Sequence, residues 1–232
     1  MAERTPLKTP PFKTMVLLCD EVDRRNLTLI LKRHCPQLKV VPAVTSSQLA
    51  ALPTALFAQA RMLSFASSVV VPGAVLDALG YGAYNFHPGP PTYPGRHAES
   101  FALYEGARVY GATAHVMYEK VDAGPIIGIE LFDVPNGTSI EQLSELTFGA
   151  LVRLFWRLAE PLAIRSQPLP ELRISWSGVK SSRRRYARIC EIAPDIAEDE
   201  LIRRVVAFGR GEDFPIPTVT LHGFQFRLVR PK

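Results

Sequence analysis

The sequence is poor in cysteine and has no long hydrophobic segment. Its three cysteines, Cys19, Cys35 and Cys190, are widely spaced, odd in number and in no metal-binding register. This usage suits a reducing cytoplasm, and no metal site is expected. No apolar run reaches membrane-spanning length, and the opening stretch, MAERTPLKTPPFKT, is too polar for a secretory signal. We therefore expect a cytoplasmic protein without a membrane partner.

A strong excess of charge of one sign is also lacking. The formal net charge is +5, and the only dense basic cluster is Lys180–Arg185, KSSRRR. One interpretation of this cluster is a solvated basic edge. The other is a patch for an anionic substrate, either a nucleotide diphosphate or RNA. The mild net charge disfavours a nucleic-acid partner, and the role of the cluster stays open at this point.

The composition indicates a globular chain, with 47% hydrophobic and 21% charged residues among 232. This length suits one domain with a full core and a small appendage. Three prolines oppose regular structure near the start, so residues 1–13 are predicted to be a flexible leader. Residues 14–166 are predicted to form the main domain. Residues 167–232, which begin with Pro168 and Pro170, are predicted to form a short C-terminal extension.

Short apolar strands alternate with amphipathic helices over residues 14–134. This pattern predicts an α/β protein whose parallel or mixed sheet is covered by helices on both faces. In such sheets ligands bind outside the carboxyl ends of the strands. The predicted strands are Thr14–Cys19, Leu38–Val44, Met62–Phe65, Gly82–His87, Thr113–Tyr118 and Ile126–Val134. The predicted helices are Glu21–His34 and one opened by Pro72.

The remaining elements carry end signals. Thr138-Ser-Ile-Glu141 is predicted to be the capping box of a long core helix that ends at Pro161. The extension is predicted to hold a helix over Glu198–Phe208 and a β-hairpin turning at His222-Gly223. The residues predicted to face inward from that helix are Leu201, Ile202, Val205 and Val206.

Two segments carry side chains suited to acyl transfer. Asn85-Phe-His87-Pro stands at the exit of a predicted strand, and Asp122 lies in the loop Val121-Asp-Ala-Gly124. An amide can steady a developing oxyanion, an imidazole can move a proton, and a carboxylate can orient and charge the imidazole. Asn-x-His alone is a weak signal, so the surrounding text decides its interpretation.

That text resembles the formyltetrahydrofolate-dependent formyltransferase family. The shared features are the Asn-x-His-Pro turn with its Pro- and Gly-rich loop, the Gly-x-Thr-x-His strand at Gly111–His115, and the Asp-x-Gly-x-Ile loop that begins at Asp122. The resemblance is specific over about residues 60 to 130. It implies a Rossmann-like formyltransferase fold with Asn85, His87 and Asp122 as the catalytic trio, and 10-formyltetrahydrofolate as the formyl donor.

The resemblance also implies a slot for the pterin ring of the folate. The residues predicted to line it are Phe65, Ser67, Val70, Val71, Val121 and Gly124. His115 matches a family histidine in some members, where it would support Asp122, although an ordinary strand histidine is the alternative. His97 follows the Pro/Gly loop and borders the predicted pocket without an assigned role.

Two departures from the family pattern bear on the acceptor. The loop after His87 reads Gly-Pro-Pro-Thr-Tyr-Pro-Gly, one residue shorter than usual and without the family arginine. The first strand leads into Asp20-Glu-Val-Asp23 with no Gly-rich turn, so a phosphate would be repelled there. This argues against glycinamide ribonucleotide and favours a small amine acceptor, most simply a nucleotide-linked amino sugar.

Three other functions stay open. One is a methionyl-tRNA formyltransferase-like enzyme that lacks the RNA-binding barrel, because the C-terminal extension is too short to form that barrel. Another is a hydrolase that releases formate from the folate. The last is an idle ligand-binding protein, which the intact Asn85, His87 and Asp122 disfavour. Whether the chain forms a homodimer is not determined by the sequence.

Overall fold

The computed structural model describes residues 12–177, 179–209 and 215–229. Its larger sheet has six strands in the order β2-β1-β3-β4-β5-β6. These strands are β1 (Thr14–Leu18), β2 (Lys39–Ala43), β3 (Ala60–Phe65), β4 (Ala83–His87), β5 (Val109–Val116) and β6 (Ile126–Asp133). All six strands predicted from the sequence are present, with ends shifted by a few residues.

The first four strands of the sheet run parallel. β1 pairs in parallel with both β2 and β3, and β3 pairs in parallel with β4. β5 reverses direction, because Met117 at its carboxyl end donates a hydrogen bond to Ala83 at the start of β4. The sheet is therefore mostly parallel, and the predicted α/β fold class is confirmed.

The described residues also form helices. They are α1 (Glu21–His34), α2 (Ser46–Ala50), α3 (Thr54–Phe57), α4 (Gly73–Ala78), α5 (Ala98–Tyr104), α6 (Ile140–Ile164), α7 (Arg183–Cys190) and α8 (Glu198–Phe208). α1 and α8 have the predicted bounds, and Pro72 is the N-cap of α4. Within the described ranges, no helix combines the length and the apolar character needed to span a bilayer.

The long helix α6 differs from its prediction at both ends. Its capping box is formed by Ser139 and Gln142, each of which accepts a hydrogen bond from the other's backbone N–H, at 2.9 and 3.2 Å. Thr138 instead donates its hydroxyl to the Pro135 carbonyl. The predicted box was therefore placed one residue too early. Pro161 does not end the helix, which continues to Ile164, because a proline removes only its own N–H donor and the next turn still forms.

The chain divides into two compact units. The first contains residues 1–87, 114–128 and 153–173. Its core packs apolar residues of β1, β3 and β4 against α2, α3 and α4, with Val16, Met62 and Ala83 among the buried residues. A second contact group joins the rings of Phe65, Phe86 and Phe155, with centroids 5.0 to 6.0 Å apart.

The second unit contains residues 88–113, 129–152 and 174–232. In it a small sheet joins β7 (Glu191–Ile192), β8 (Thr218–Leu221) and β9 (Phe224–Arg227), with β8 and β9 antiparallel as the predicted hairpin requires. α7 was not predicted; it buries Tyr186 and Cys190 beside Phe208. Ile202 and Val206 were predicted to face inward, which is wrong: they are 54% and 44% exposed, and Ala207 and Phe208 are buried instead.

The units divide the chain differently from the predicted domains at 14–166 and 167–232, which stay a prediction. Most of the predicted leader, residues 1–11, lies outside the described residues. Phe12, which was assigned to the leader, is buried, with its ring 5.3 Å from that of Tyr81.

Arg61 is a buried cation held by backbone carbonyls. It is fully buried in β3 and donates hydrogen bonds to Tyr81 at 3.0 Å, to Leu162 in the last turn of α6 at 2.7 Å, and to Gln167 at 3.4 Å. Its guanidinium lies over the ring of Phe12. Carbonyls at a helix C-terminus carry partial negative charge, so this contact helps to compensate the buried charge.

Candidate active site

Two residues of β4 point to the same side of the sheet. Asn85 and His87 are two positions apart, so their side chains leave the same face, whereas Phe86 between them is buried in the aromatic group described above. His87 is the last residue of the strand and is only 5% exposed. The apolar position between the two polar ones thus fixes the direction of both.

Antiparallel pairing brings His115 of β5 opposite Asn85. Asn85 Nδ2 lies 3.2 Å from His115 Nε2. His115 Nδ1 lies 2.8 Å from the Val116 carbonyl oxygen, which can only accept, so Nδ1 carries a proton and donates it. In neutral His115, Nε2 is therefore the acceptor of the Asn85 amide N–H.

Asp122 lies between the two histidines. Its Oδ2 is 3.6 Å from His87 Nδ1, and its Oδ1 is 3.3 Å from His115 Nε2. The first distance exceeds that of a hydrogen bond. Asp122 is 6% exposed and His115 2% exposed, so the three groups interact in a largely dry environment. Burial strengthens their mutual electrostatic interaction relative to water.

The loop that carries Asp122 is tightly constrained. Asp122 has a φ of 47°, which is uncommon for a residue other than glycine and is a feature of strained functional positions. At Gly124 a Cβ atom would stand 1.9 Å from the Val116 carbonyl oxygen, so only glycine lets the two backbones meet there. Val116 N also donates to the Pro125 carbonyl at 2.9 Å. Gly124 therefore sets the position of Asp122 against β5.

The arrangement can support proton transfer beside an oxyanion. His87 presents Nδ1 to Asp122, so Nε2 is the nitrogen that a substrate would meet. Asp122 stabilises the imidazolium that forms when Nε2 accepts a proton. Asn85 presents amide N–H donors on the same face, as an oxyanion site needs. Among the described residues no group of three or more His, Cys, Asp or Glu side chains is arranged to hold a metal ion.

The residues of the predicted folate slot occupy different environments. Phe65 and Val71 are 1% and 5% exposed and belong to the core, so a ligand would meet their backbone rather than their side chains. Val70 and Val121 are 54% and 43% exposed and available for apolar contact. Ser67 accepts the Val69 N–H at 3.2 Å and shapes the turn after β3. The role of these residues in folate binding stays a prediction.

Sequence reasoning did not single out two residues that hold the loop after His87. In the second unit, Tyr110 donates its hydroxyl to the Pro88 carbonyl at 3.0 Å, and Thr113 donates to the Gly89 carbonyl at 2.7 Å. Thr113 is the threonine of the Gly-x-Thr-x-His motif, so the motif itself was the available signal. These bonds anchor the start of the loop by its backbone.

His97 is a strained, neutral histidine at the start of α5. It has a φ of 60°, and its ring centroid lies 4.4 Å from that of Tyr186. Burial, together with the charges of Arg96 and Arg183, lowers the pKa of His97 from 6.5 to about 4. His97 is therefore uncharged at neutral pH.

The low pKa of His97 predicts an acid-dependent loss of stability. His97 becomes protonated near pH 6.5 in the unfolded chain and only near pH 4 in the folded chain. The free energy of unfolding therefore has its full value above pH 6.5 and decreases as the pH is lowered from 6.5 to 4. His97→Asn retains a residue that tolerates positive φ but removes the titration. Between pH 7 and pH 5, urea unfolding should show wild type losing about 1 kcal/mol more than His97→Asn. Equal losses would contradict this prediction.

Comparison with known proteins shows which family the sequence of this segment is similar to. The family model described as "Formyl transferase" matches residues 56–149, which contain Asn85, His87, His115 and Asp122. A segment of 72 residues is 42% identical to the trifunctional purine biosynthetic protein adenosine-3 of Gallus gallus; it covers 31% of this chain and 7% of that protein. The phosphoribosylglycinamide formyltransferase of Bacillus subtilis is 26% identical over 137 residues, or 56% of this chain and 70% of that protein.

Solved structures show the same fold over most of the chain. A sugar N-formyltransferase from Shewanella sp. superposes with a TM-score of 0.75 at 14% identity, covering 93% of this chain and 95% of its own. The N-formyltransferase of Helicobacter canadensis, solved in complex with folinic acid and dTDP-3-aminofucose, superposes with a TM-score of 0.61 at 16% identity, with coverages of 85% and 80%. The resemblance found in the sequence agrees with these matches: residues 56–149 match the formyl transferase family model, and the fold is that of the solved N-formyltransferases.

Proposed function

We propose that this protein transfers the formyl group of 10-formyltetrahydrofolate to the amine of a small acceptor, a nucleotide-linked amino sugar. The observation that carries the proposal is the position of Asp122. This buried carboxylate lies 3.6 Å from His87 Nδ1 and 3.3 Å from His115 Nε2, beside the amide of Asn85, within a segment that matches the formyl transferase family. An amide, an imidazole and a carboxylate on one face are the groups that formyl transfer to an amine requires.

In the proposed mechanism each group has one task. The acceptor amine attacks the formyl carbon, and negative charge develops on the former carbonyl oxygen. Asn85 donates an amide N–H to that oxygen, a contact that is typically worth about 10²–10³ in rate. His87 Nε2 removes the proton of the attacking amine, and Asp122 stabilises the resulting imidazolium. The C–N bond to the folate then breaks, and the folate nitrogen takes up the proton that His87 had removed, which returns the imidazole to its neutral form.

His115 would act through its neighbours. Its Nε2 accepts one N–H of the Asn85 amide, so it fixes the direction of the second N–H, and the same nitrogen lies 3.3 Å from Asp122 Oδ1. His115 is therefore proposed as a positioning residue for the Asn85 amide, and the support of Asp122 that the family resemblance implied stays a prediction.

The charges beside β1 favour a sugar acceptor over glycinamide ribonucleotide. The first turn of α1 carries Glu21 and Asp23, with Asp20 as its N-cap. Burial, followed by the negative charges of Asp23, Asp20 and Glu21, raises the pKa of Cys19 to about 11. This negative potential would repel a phosphate at the start of the helix. Glycinamide ribonucleotide nevertheless stays the second candidate, because of the similarity to the Bacillus subtilis enzyme.

The folate donor predicts a ligand-dependent gain of stability. A stable analogue, 5-formyltetrahydrofolate, should raise the free energy of unfolding by roughly 2.7 kcal/mol at a hundredfold excess over its dissociation constant, because it binds only the folded state. Differential scanning fluorimetry measures this as a rise in melting temperature. A nucleoside such as adenosine at the same concentration is the control. No shift at millimolar concentrations of any reduced folate would contradict the assignment of the donor.

Acceptor competition distinguishes the proposed function from its alternatives. The protein is incubated with 10-formyltetrahydrofolate and, separately, with a dTDP-linked amino sugar, glycinamide ribonucleotide, methionyl-tRNA or no acceptor. We expect the amino sugar to be formylated fastest. Fastest transfer to methionyl-tRNA would favour the tRNA alternative, and formate release at an equal rate without any acceptor would favour the hydrolase.

A further inference from the structure

A short bridge within the second unit joins the loop after His87 to the segment before α7. Gly95 and Ser181 form an isolated parallel β-bridge. Ser181 N donates to the Pro94 carbonyl at 2.9 Å, and Arg96 N donates to the Ser181 carbonyl at 3.3 Å. The Ser181 hydroxyl, which is buried, also donates to the Pro94 carbonyl at 3.1 Å and contacts the Arg96 carbonyl. Two segments distant in sequence are thus fixed to one another through their backbones.

The bridge leaves no space for adjustment. Gly95 has a φ of 97°, and a Cβ atom there would stand 2.3 Å from the Ser181 carbonyl oxygen. The same Cβ position lies 3.0 Å from Cγ of Lys180. The Cα atoms of the residues beside the bridge are therefore held in fixed positions.

Three positively charged side chains extend into solvent beside this bridge. Arg96 follows Gly95, Lys180 precedes Ser181, and Arg183 stands two residues after Ser181 at the start of α7; all three are exposed. We call these three residues the bridge cations. The backbone bridge brings together the segments that carry Arg96 and Arg183, and the positive charges of both contribute, after burial, to the lowered pKa of His97. Like charges brought together on a rigid frame repel one another unless an anion is bound between them.

Arg185 of the same basic run does a different task. It donates to Glu105 at 3.2 Å, and its guanidinium lies 4.4 Å from the centroid of the Phe101 ring. These contacts hold α7 against α5 and satisfy its charge. The run Lys180–Arg185, which the sequence left as either a solvated edge or an anion patch, therefore contains one structural arginine, Arg185, and two of the bridge cations, Lys180 and Arg183.

We propose that Arg96, Lys180 and Arg183 bind the diphosphate of a nucleoside diphosphate group. Guanidinium groups match phosphate oxygens with paired N–H donors, and Lys180 would supply a point charge between them. The three residues stand within two positions of the Gly95–Ser181 bridge, so they form a single patch and not the extended track that an RNA backbone follows. That the diphosphate belongs to the acceptor rests on the proposed function; the anion site itself does not.

The test measures binding without catalysis. Isothermal titration calorimetry with dTDP and with inorganic pyrophosphate is performed on wild type, on the double variant Arg96→Ala/Arg183→Ala, on Lys180→Ala and on Arg188→Ala. Arg188 is exposed in the last turn of the same helix and is the matched control for loss of one charge. We expect the double variant to weaken both ligands at least about tenfold, Lys180→Ala to weaken them less, and Arg188→Ala to leave them unchanged.

A spectroscopic signal checks the location of the bound anion. An anion between the guanidiniums offsets their charge at His97, so pyrophosphate should raise the pKa of His97 from about 4 in a proton NMR titration. Unchanged dTDP affinity in the double variant would overturn the proposal. Tight RNA binding at physiological salt, lost in the double variant without any dTDP binding, would also overturn it, in favour of RNA.

The folate measurement separates the two proposals. The double variant should keep its stabilisation by 5-formyltetrahydrofolate, because its substitutions leave Asn85, His87 and Asp122 untouched. If wild type binds dTDP at the bridge cations but no reduced folate, the formyl-transfer function fails and the anion site stands. If folate binds and dTDP affinity does not depend on the bridge cations, the anion site fails and the proposed function stands.

Discussion

His87→Ala is expected to lower the turnover of formyl transfer by at least about 10², with little change in folding. The substitution removes the imidazole that accepts the amine proton and leaves Asp122 without a group to charge. Asn85→Ala should cause a loss of similar size, because the oxyanion loses a donor, and so should Asp122→Ala. The rates are measured with 10-formyltetrahydrofolate and the best acceptor from the panel described above.

The control for these variants is His34→Ala. His34 lies in the last turn of α1, so His34→Ala removes an imidazole from the same unit and leaves the candidate site unchanged. Its turnover should match wild type. Near-wild-type turnover in His87→Ala, with circular dichroism and melting temperature unchanged, would refute the proposed mechanism.

Arg61→Ala is expected to lower the free energy of unfolding by about 3–5 kcal/mol, the range found when a large buried side chain is cut back to alanine. The substitution leaves the carbonyls of Tyr81, Leu162 and Gln167 without this donor and opens a cavity beside the Phe12 ring. Urea unfolding measures the change.

An exposed arginine of the same unit provides the comparison. Arg165 lies just after α6, and Arg165→Ala should change the free energy of unfolding by less than about 0.5 kcal/mol. A free energy of unfolding for Arg61→Ala within about 1 kcal/mol of the wild-type value would show that the guanidinium does not join β3 to the end of α6.

Local sequence signals predicted the elements whose ends are marked by charge. α1 begins with Glu21 and Asp23 and ends with Lys32, Arg33 and His34, and its bounds agree with the prediction. Acidic residues at the start and basic ones at the end favour a helix through its dipole. α8, with three acidic residues in its first turn, was predicted equally well.

Signals that depend on tertiary packing were not readable. α7 begins with three arginines and was interpreted only as a basic cluster, whereas burial of Tyr186 and Cys190 against Phe208 holds it in place. The inward face of α8 was also misplaced, because Ala207 and Phe208, not Ile202 and Val206, meet the neighbouring elements. The hydrophobicity of a residue does not identify its partner.

The sequence predicted which residues form the candidate site, but not all of the contacts between them. The motifs placed Asn85 and His87 at the end of one strand and Asp122 in a loop, and the structure brings them together. The contact between Asn85 and His115 depends on the antiparallel register of β4 and β5, which no single segment encodes. The same register gives His115 its position between an amide and a carboxylate.

The most direct test of the account is a single-turnover reaction with 10-formyltetrahydrofolate that carries a ¹³C-labelled formyl group and a dTDP-linked amino sugar. Wild type and Asp122→Asn are compared, and the fate of the label is followed by NMR. The account predicts that wild type places the label on the amine nitrogen of the sugar and that Asp122→Asn does so at least about 10² more slowly. Label released as formate at the same rate with and without the sugar, or transfer by Asp122→Asn as fast as by wild type, would contradict it.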